Sequence, residues 1–262
     1  MNTNHQKADY TKGCRHEENT PLHNKHMEAA IASKGISSDV IYRLTIDLMN
    51  RLKLDGDLLE YGAGTGTLIK QLLDSSYQGK ITGADIFVRP SFLPKSVRWI
   101  RGDLNNSLDV PDESFDTIIS TEVIEHLENP RVTFREFYRL LRPNGTLIIT
   151  TPNQESVRSF CCLLVGGHFA AFLGPSYPAH ITALLRKDFE RICLESGFSL
   201  PAFQYTNTGG LPKLPGVRWQ SLSFGFLRGR LFSDNVAIIA KKIPQEVRDA
   251  PTGLCSHKET FT

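Results

Sequence analysis

Apolar runs alternate with helical patterns along most of the 262-residue chain. A first helix is predicted from Ser37 or Ser38, both suitable N-caps, to near Leu54, because its apolar residues recur three or four positions apart. Shorter apolar runs follow, which are typical of buried strands. The predicted strands are residues 57–61, 80–85, 97–101, 115–121, 145–151, 198–205 and 235–241. Strands that alternate with helices predict an α/β fold with a doubly wound, Rossmann-like, mostly parallel sheet.

Helices are predicted between these strands at residues 65–74, 123–141 and 187–195. The second of them ends at Arg142-Pro143-Asn144-Gly145, because a helix rarely continues through such a turn sequence. The third ends before Gly197, and glycine commonly follows the last turn of a helix. The helices therefore separate the strands as a parallel sheet requires.

The pattern predicts one domain with two tails. Residues 1–27 are polar, with histidines at no metal-like spacing, and are predicted to be a disordered tail. Residues 28–242 form the predicted domain, and 243–262 a flexible tail. Two segments, 154–180 and 206–233, interrupt the alternation of strands and helices. Insertions at the carboxyl ends of strands commonly shape a pocket, so both are expected to lie over one site.

Composition narrows the class of protein. Hydrophobic residues make up 40% of the chain and charged residues 22%, which excludes a wholly disordered or coiled-coil protein. The net charge of +2 does not favour a nucleic-acid partner. The five cysteines include no C-x-x-C pair, and no signal-like or membrane-spanning apolar segment is present. A reduced, cytoplasmic protein is therefore expected.

The densest chemical signal is a glycine-rich turn between the first predicted strand and its helix. Gly62, Gly64 and Gly66 alternate with other residues, and glycine lets a ligand lie close to the backbone. A dinucleotide fingerprint would need glycine or alanine at the position of Thr67, and a P-loop would need a lysine after Gly66. Because neither is present, the turn does not match a phosphate-binding loop.

Acidic residues stand at the ends of predicted strands around this turn. Glu60 comes two residues before the first glycine, Asp85 ends the second strand, and Asp103 follows the third. Asp85 lies about 20 residues beyond the turn, the distance at which an acid reaches a ribose diol in nucleotide-binding βαβ units. Carboxylates with no lysine or arginine in the turn suit a nucleoside that carries positive charge and no phosphate.

These residues, taken in order, resemble the motifs of the class I S-adenosylmethionine (SAM) dependent methyltransferases. The resemblance covers residues 36–242 and also includes Asp116 in the fourth strand and the stretch 140–147 that leads into the fifth. It implies the class I methyltransferase fold, in which the last strand is antiparallel, and an enzyme with SAM as its cofactor. The nearest motif match is to the small-molecule O-methyltransferases of ubiquinone biosynthesis.

The resemblance assigns roles to individual residues. Glu60 would organise the glycine turn and the methionine end of SAM, Asp85 would hold the ribose hydroxyls, and Asp103 would accept from the adenine amine. Ile86 and Leu104 would pack against the adenine. The implied cofactor-binding residues are Glu60, Gly62, Ala63, Gly64, Gly66, Asp85, Ile86, Asp103, Leu104 and Thr121.

A second cluster follows the fourth predicted strand. If a helix begins there, Glu122, Glu125 and His126 have i, i+3, i+4 spacing and share one face. The pattern E-x-x-E-H is similar to one in O-methyltransferases of ubiquinone biosynthesis and in small-RNA 3′-end 2′-O-methyltransferases, where it ligates a divalent cation. Mg²⁺ or Mn²⁺ at these residues is therefore a candidate second cofactor. The alternative is that the acids only complement the dipole of a helix N-terminus.

Methyl transfer to oxygen requires a nearby group that takes up the proton of the acceptor. His126 and His180 are the candidate catalytic residues. His180 comes shortly before the last predicted helix, where the resemblance implies a histidine in many small-molecule methyltransferases.

The expected function is methyl transfer from SAM to a small molecule, with a hydroxyl oxygen as the favoured acceptor atom. The apolar first insertion and the aromatic and arginine residues of the second favour a lipophilic or aromatic acceptor and allow peripheral membrane contact. The alternatives are an RNA 2′-O-methyltransferase that uses a divalent metal, a nicotinamide-dependent oxidoreductase, and a non-catalytic partner-binding module on the SAM fold. Nucleic acid is disfavoured by the balanced charge, and the oxidoreductase by Thr67.

Overall fold

A computed structural model describes residues 21–75 and 77–248, and the statements below concern these residues. The strands are β1 (Leu58–Tyr61), β2 (Ile81–Asp85), β3 (Arg98–Arg101), β4 (Phe115–Thr121), β5 (Leu141–Pro152), β6 (Ala202–Tyr205), β7 (Gly210–Leu211), β8 (Leu214–Arg218) and β9 (Asn235–Lys241). All except β7 and β8 form one sheet in the order β3-β2-β1-β4-β5-β9-β6. Strands β1 to β5 pair in parallel, whereas β9 runs antiparallel to β5 and β6. The predicted sheet, including its antiparallel last strand, is confirmed.

Helices cover both faces of the sheet. They are α1 (Pro21–Ser33), α2 (Asp39–Arg51), α3 (Thr67–Asp74), α4 (Pro130–Leu140), α5 (Val157–Gly166), α6 (Arg186–Ser196), α7 (Trp219–Leu222) and α8 (Gln245–Arg248). One apolar layer includes Phe134 and Phe137 of α4 with Phe189 of α6, and the other includes Leu48 of α2 with Leu68 of α3. Because the sheet is covered on both faces, its inner strands β1 and β2 are buried at every position.

The direction of winding reverses between β1 and β4. From β1 the chain moves outward through β2 to β3, and it then returns to the other side of β1 as β4 and β5. In such a sheet a crevice opens at the carboxyl ends of the two strands where the order reverses. Residues that follow β1, β2 and β4 therefore meet in this crevice.

The single helix predicted at 123–141 is wrong. The segment instead contains a short 3-10 turn, Ile124–His126, and then α4, which begins at Pro130. Asn129 caps α4, because its side chain accepts a hydrogen bond from the backbone N–H of Val132 at 3.2 Å. A proline fits the first turn of a helix but not its interior, so the chain must break before Pro130.

The turn 142–145 differs from its prediction in a smaller way. It lies inside β5, where the pairing with β4 shifts from Phe115 opposite Leu141 to Thr117 opposite Thr146. Asn144 at φ +64° makes the local bend. The predicted break therefore appears as an irregularity in a longer strand.

Both predicted tails contain a helix where none was expected. Helix α1 starts at Pro21, so the disordered tail predicted to reach residue 27 is wrong over its last part. Helix α8 lies within the predicted tail 243–262. Residues 1–20 and 249–262 lie outside the described residues, and for them the prediction stays a prediction. Within the described part, every helix is too short or too polar to cross a bilayer.

Candidate active site

A cavity of about 370 Å³ opens at the crevice between β1 and β4. The predicted site residues that line it are Glu60, Gly62, Ala63, Gly64, Asp85, Ile86, Asp103, Leu104, Thr121, Glu122, Glu125, His126 and His180. The carboxyl ends of the four parallel strands β1 to β4 thus bring together residues that are far apart in the sequence. Of the predicted cofactor residues only Gly66 does not line the cavity.

The glycine turn needs glycine for two reasons. Gly62, Gly64 and Gly66 all have positive φ, at +86°, +49° and +74°. A Cβ on Gly62 would lie 2.2 Å from the Val123 side chain, and one on Gly64 would lie 2.2 Å from the Gly35 carbonyl oxygen. Gly66 closes the turn on the side away from the cavity. Its N–H donates to the carbonyl oxygen of Ala63, and it immediately precedes α3. The backbone is therefore held tightly on both sides.

Asp85 fixes this turn from the neighbouring strand. One carboxylate oxygen accepts from the backbone N–H of Gly64 at 2.6 Å, and the other accepts from Phe87 N–H at 3.0 Å. Burial raises the pKa of Asp85, and these backbone hydrogen bonds act in the opposite direction. Each carboxylate oxygen can accept a further hydrogen bond, so Asp85 is still able to bind a ligand hydroxyl.

Carboxylate oxygens without partners face the same cavity. Glu60, Glu122 and Glu125 each have one buried oxygen that has no hydrogen-bond partner among the described residues. Burial, together with the charge of Asp85, raises the pKa of Glu60 well above its usual value. Burial also raises the pKa of Glu122 and of Glu125, and the charge of Glu125 adds to the effect on Glu122. No Lys or Arg lines the described cavity, so a cationic ligand would supply the missing partner.

The two candidate catalytic histidines lie side by side. The ring centroids of His126 and His180 are 4.9 Å apart, edge to face. The Nδ1 atom of His126 is 2.7 Å from the carbonyl oxygen of Ala179, which can only accept, so Nδ1 carries the proton and Nε2 has the lone pair. Burial lowers the pKa of both histidines, and for His180 the neighbouring His126 lowers it further. Both rings are therefore suited to be neutral at physiological pH.

The 3-10 turn holds the segment of His180 in place. The backbone N–H groups of Ile181 and Thr182 donate to the carbonyl oxygen of Glu125 at 2.9 and 3.0 Å. The hydroxyl of Thr182 donates to the Leu127 carbonyl oxygen at 2.6 Å. Two distant parts of the sequence are thus joined where the candidate base lies.

A possible cation site differs from the predicted trio. Glu125, His126 and His180 each offer a ligand atom, and these atoms lie within 4.8 Å of one another. Glu122 is not part of this cluster, because it precedes the 3-10 turn with φ +54° and its carboxylate accepts from Asn235 at 3.0 Å. The donor set fits a divalent cation, and two imidazoles with one carboxylate suit Mn²⁺ better than Mg²⁺.

Sequence reasoning missed the part of the cavity wall that comes from the N-terminal helices. The lining residues of this region are His26, Ala29, Ala30, Ser33, Gly35, Ile36, Ser37, Ser38, Ile41 and Tyr42. The imidazole of His26 bonds Asp103 at 2.5 Å and Glu128 at 3.0 Å. The Gly35 carbonyl oxygen accepts from the N–H of Thr65 at 3.0 Å, directly over the glycine turn. The one local signal was Pro21, which is typical of a helix start.

The two insertions contribute less to the cavity than predicted. Of residues 154–180 only His180 lines it, and none of 206–233 does within the described residues. The second insertion folds onto itself instead: the Gln220 amide donates to the carbonyls of Leu227 and Phe232, and Trp219 packs edge-on against Phe232.

Helix α1 is expected to loosen as the pH rises. Burial lowers the pKa of His26, but the hydrogen bonds and charges of Asp103 and Glu128 outweigh it and raise that pKa above 6.5. Because the pKa of His26 is raised in the folded state, the stabilisation of α1 by protonated His26 is fully present below pH 6.5. It is lost as the pH rises through the folded-state pKa of His26. We expect amide protection factors in α1 to fall about fivefold across this range, the equivalent of about 1 kcal/mol.

The control for this experiment is His26→Gln, which cannot titrate. Its protection factors in α1 should be independent of pH over the same window. His23, which lies 3.9 Å from Asp103, is replaced by Gln in parallel to separate its contribution. An equal pH dependence in His26→Gln would contradict the assignment.

The fold and the cavity define a protein that binds a cationic nucleoside at the carboxyl ends of a parallel sheet. A family model described as a methyltransferase domain matches residues 26–201. The chain therefore belongs to the methyltransferase domain family and is a SAM-dependent methyltransferase. SAM is its cofactor, as the sequence predicts, and the nicotinamide-dependent alternative is set aside.

Relatives extend the comparison. A malonyl-[acyl-carrier protein] O-methyltransferase of Paenibacillus sp. (strain JDR-2) is 23% identical over 200 residues, which is 69% of this chain and 71% of that protein. A mitochondrial ubiquinone biosynthesis O-methyltransferase of Dictyostelium discoideum is 25% identical over 179 residues, 61% of this chain and 54% of that protein. The chain thus spans 71% and 54% of the lengths of these two relatives, and it spans 20% of the length of a third curated relative. A SAM-dependent methyltransferase from Archaeoglobus fulgidus shares the fold, with TM-score 0.53 and 19% identity over 77% of this chain and 94% of that one.

Proposed function

We propose that the protein transfers the methyl group of SAM to a hydroxyl oxygen of a small lipophilic molecule, in the cytoplasm. The observation that carries the proposal is the histidine pair at one end of the cavity. The Nδ1–H of His126 donates to the Ala179 carbonyl oxygen, which leaves the lone pair on Nε2, and burial lowers the pKa of both rings. Methyl transfer to an alcohol or phenol needs such a neutral base, whereas a neutral amine does not have to lose its proton before it attacks.

The residues of the cavity divide the binding of SAM among them. Asp85 would hold the ribose hydroxyls, and the backbone of the glycine turn would lie against the cofactor. Asp103 would accept from the adenine amine, although His26 and Asn105 already bond its two oxygens. The unpartnered oxygens of Glu60 and Glu122 would face the positive methionine end. When bound, SAM supplies an electrophilic methyl carbon attached to a sulfonium.

His126 would remove the proton of the acceptor. Nε2 of His126 would take up the proton of the acceptor as its oxygen attacks the methyl carbon. The carbon–sulfur bond would break at the same time, and the cofactor would leave as S-adenosylhomocysteine. The Nδ1–H of His126 donates to Ala179, which keeps the ring oriented and stabilises the imidazolium that forms. His180, edge-on against this ring, would orient the acceptor hydroxyl. The protein then holds the reactants aligned for an in-line displacement.

The names of the relatives support oxygen as the acceptor atom. One is named for O-methylation in ubiquinone biosynthesis and the other for O-methylation of a malonyl group on a carrier protein. Exposed apolar residues of the first insertion, in the same segment as His180, favour a lipophilic acceptor over a polar one.

The proposal is tested with SAM that carries a labelled methyl group and a panel of acceptors. The panel contains a phenol, the same phenol with a prenyl side chain, and an aromatic amine of equal size. We expect a methyl ether, formed most efficiently on the prenylated phenol. Labelling of the amine with both phenols unlabelled would contradict the proposal.

A second candidate adds a divalent cation to the same chemistry. Glu125, His126 and His180 would hold Mn²⁺ or Mg²⁺, which would lower the pKa of a bound acceptor hydroxyl. The support is that one carboxylate and two imidazoles of the cavity wall offer ligand atoms within 4.8 Å of one another.

Exhaustive chelation tests the cation directly. If the cation is required, chelation lowers methyl transfer by at least about 100-fold, the typical size of a catalytic proton-transfer or metal contribution, and added Mn²⁺ restores it. Electron paramagnetic resonance of Mn²⁺ gives a readout that does not depend on activity, and the signal of bound Mn²⁺ should be lost in Glu125→Gln. Full activity after chelation would leave His126 as the base without metal.

A further inference from the structure

Two segments of the chain contain no acidic residue, although the whole chain has 28 Asp and Glu. They are residues 156–187 and 206–233, which include most of both insertions. Their basic residues are Arg158, Arg186, Lys187, Lys213, Arg218, Arg228 and Arg230. Although the chain as a whole is almost neutral, these segments are purely basic.

The same segments expose large apolar side chains. Phe224 and Phe226 are 94% and 87% exposed, and on α5 Leu164 and Val165 are 70% and 74% exposed. Phe160 of α5 is also exposed. Single exposed apolar residues are ordinary on protein surfaces, but two almost fully exposed phenylalanines separated by one residue mark an interaction site.

The loop that carries the two phenylalanines has a hydrogen-bonded backbone conformation. Phe224 has φ +50°, which is unfavourable for a phenylalanine, and Gly225 follows at φ +85°. The Gly225 N–H donates to the Gln220 carbonyl at 2.8 Å, and Phe226 N–H to Ser223 at 3.0 Å. Backbone strain of this kind persists only where surrounding contacts enforce it. The exposure of both rings is thus fixed by the fold of the loop.

The two segments pack against each other. Helix α5 contacts the 3-10 turn Arg230–Phe232, and Asn153 links the same region by donating to the carbonyls of Arg230 and Ser233. Arg158 and Arg230 form ion pairs with Asp234 and Glu155. Their charges are therefore already neutralised within the protein.

Three basic side chains of the second segment have no carboxylate partner within the described residues. They are Lys213, Arg218 and Arg228, and all are exposed. Together with Phe160, Leu164, Val165, Phe224 and Phe226, which are exposed on the same two packed segments, they are named the docking surface. Its chemistry combines apolar rings with unneutralised positive charge.

We propose that the docking surface binds peripherally to an anionic lipid bilayer. Two protruding phenylalanines suit a fluid interface, where rings enter the acyl boundary without a preformed pocket, and the basic residues then meet lipid phosphates. Since each signal alone gives weak binding, the combination of apolar and basic groups is what makes association stable. Among the described residues no helix is long and apolar enough to span a bilayer.

The first segment, residues 156–187, contains both α5 of the docking surface and His180 of the cavity wall. A membrane-dissolved acceptor would reach the histidine pair from this side. This consequence rests on the proposed function, whereas bilayer binding itself does not.

Vesicle co-sedimentation of the full chain tests the proposal. The probes are vesicles of pure phosphatidylcholine and of an equimolar mixture of phosphatidylcholine and phosphatidylglycerol. We expect binding to the anionic vesicles, a loss of about tenfold or more in the double variant Phe224→Ser/Phe226→Ser, and about fivefold for each basic residue removed in Lys213→Gln/Arg228→Gln. The matched control is Phe92→Ser/Lys95→Gln, which removes an exposed aromatic and a basic residue from the loop before β3 and should bind as wild type.

Calorimetry with SAM verifies that every variant is folded, since none of these residues lines the cavity. The proposal is overturned if wild type binds neither vesicle while it binds SAM, or if the control variant loses as much binding as Phe224→Ser/Phe226→Ser. It is also overturned if wild type forms a dimer that the aromatic variant dissociates and vesicles do not compete, because a second copy then occupies the surface. Bilayer binding without methyl transfer to any lipophilic acceptor would refute the proposed function and leave the docking surface intact.

Discussion

Asp85→Ala is expected to lower the affinity for SAM by at least about 100-fold. The variant loses the carboxylate that would accept the ribose hydroxyls, and hydrogen bonds to a charged group each contribute about 1.5–3 kcal/mol. It also frees the backbone N–H groups of Gly64 and Phe87, which Asp85 now fixes at 2.6 and 3.0 Å. Loss of the ligand contact and loss of the preformed turn act in the same direction. Isothermal calorimetry with SAM measures the effect.

Two variants bracket this measurement. Asp74→Ala removes an exposed acid at the end of α3, where it pairs with Lys70, and should leave the affinity for SAM unchanged. Asp85→Asn keeps one acceptor oxygen and should fall between wild type and Asp85→Ala. Thermal melting shows whether Asp85→Ala remains folded. A change in affinity of less than about threefold in a folded Asp85→Ala protein would exclude Asp85 from the cofactor site.

His126→Ala is expected to lower the rate of methyl transfer by about 100-fold to 10,000-fold, the usual contribution of a general base. The variant removes the Nε2 lone pair but leaves the glycine turn and Asp85 unchanged, so the affinity for SAM should stay within about threefold. Single-turnover kinetics with the prenylated phenol separate the chemical step from binding. His180→Ala should cost less, because His180 is assigned to orienting the acceptor and not to taking its proton.

His168→Ala is the matched control for both histidines. It lies in the same insertion as His180 but does not line the cavity. Its turnover should equal that of wild type. If His126→Ala kept more than half of the wild-type rate, the proton would have to leave to another group, and the assignment of the base would be wrong.

The sheet could be predicted closely because its strands are short apolar runs between clear turns. The bounds of β4 and β9 agree with prediction, and β1, β2 and β3 each begin one residue later than predicted. The starts of β5 and β6 differ by four residues, and the short strands β7 and β8, inside the second insertion, were not predicted. The sequence contains a helix-start signal at Asn129-Pro130, but the helical pattern on both sides of it led to the prediction of one continuous helix. Local pattern therefore sufficed where an element buries apolar residues.

Helix α1 could not be predicted on the same basis. Its sequence carries no apolar stripe that would indicate a packed helix, and in the structure none of its residues is fully buried. Its position depends on the hydrogen bond from His26 to Asp103, which lies 77 residues further along the chain. Contacts of this range become visible only when the fold is known.

The candidate site was predictable in its acids and less so in its geometry. Strand ends of a doubly wound sheet must converge, which is why Glu60, Asp85 and Asp103 line one cavity. The φ of +54° at Glu122 could not be predicted from its residue type, and its N–H donates to the carbonyl oxygen of Thr150 in the neighbouring strand β5 at 3.0 Å. The backbone turns at Glu122, and His180 takes the place that was predicted for Glu122 in the cluster with Glu125 and His126.

Helix α1 has a consequence for turnover as well as for binding. Because it buries no side chain fully, it can open without disturbing the apolar layers of the sheet. Its residues His26, Ala29, Ala30 and Ser33 form part of the cavity wall, so opening of α1 would widen the path by which the spent cofactor leaves. In many enzymes release of product, and not chemistry, limits the rate. We therefore expect that a variant with a weaker His26 link turns over faster at saturating SAM, although it binds SAM less tightly.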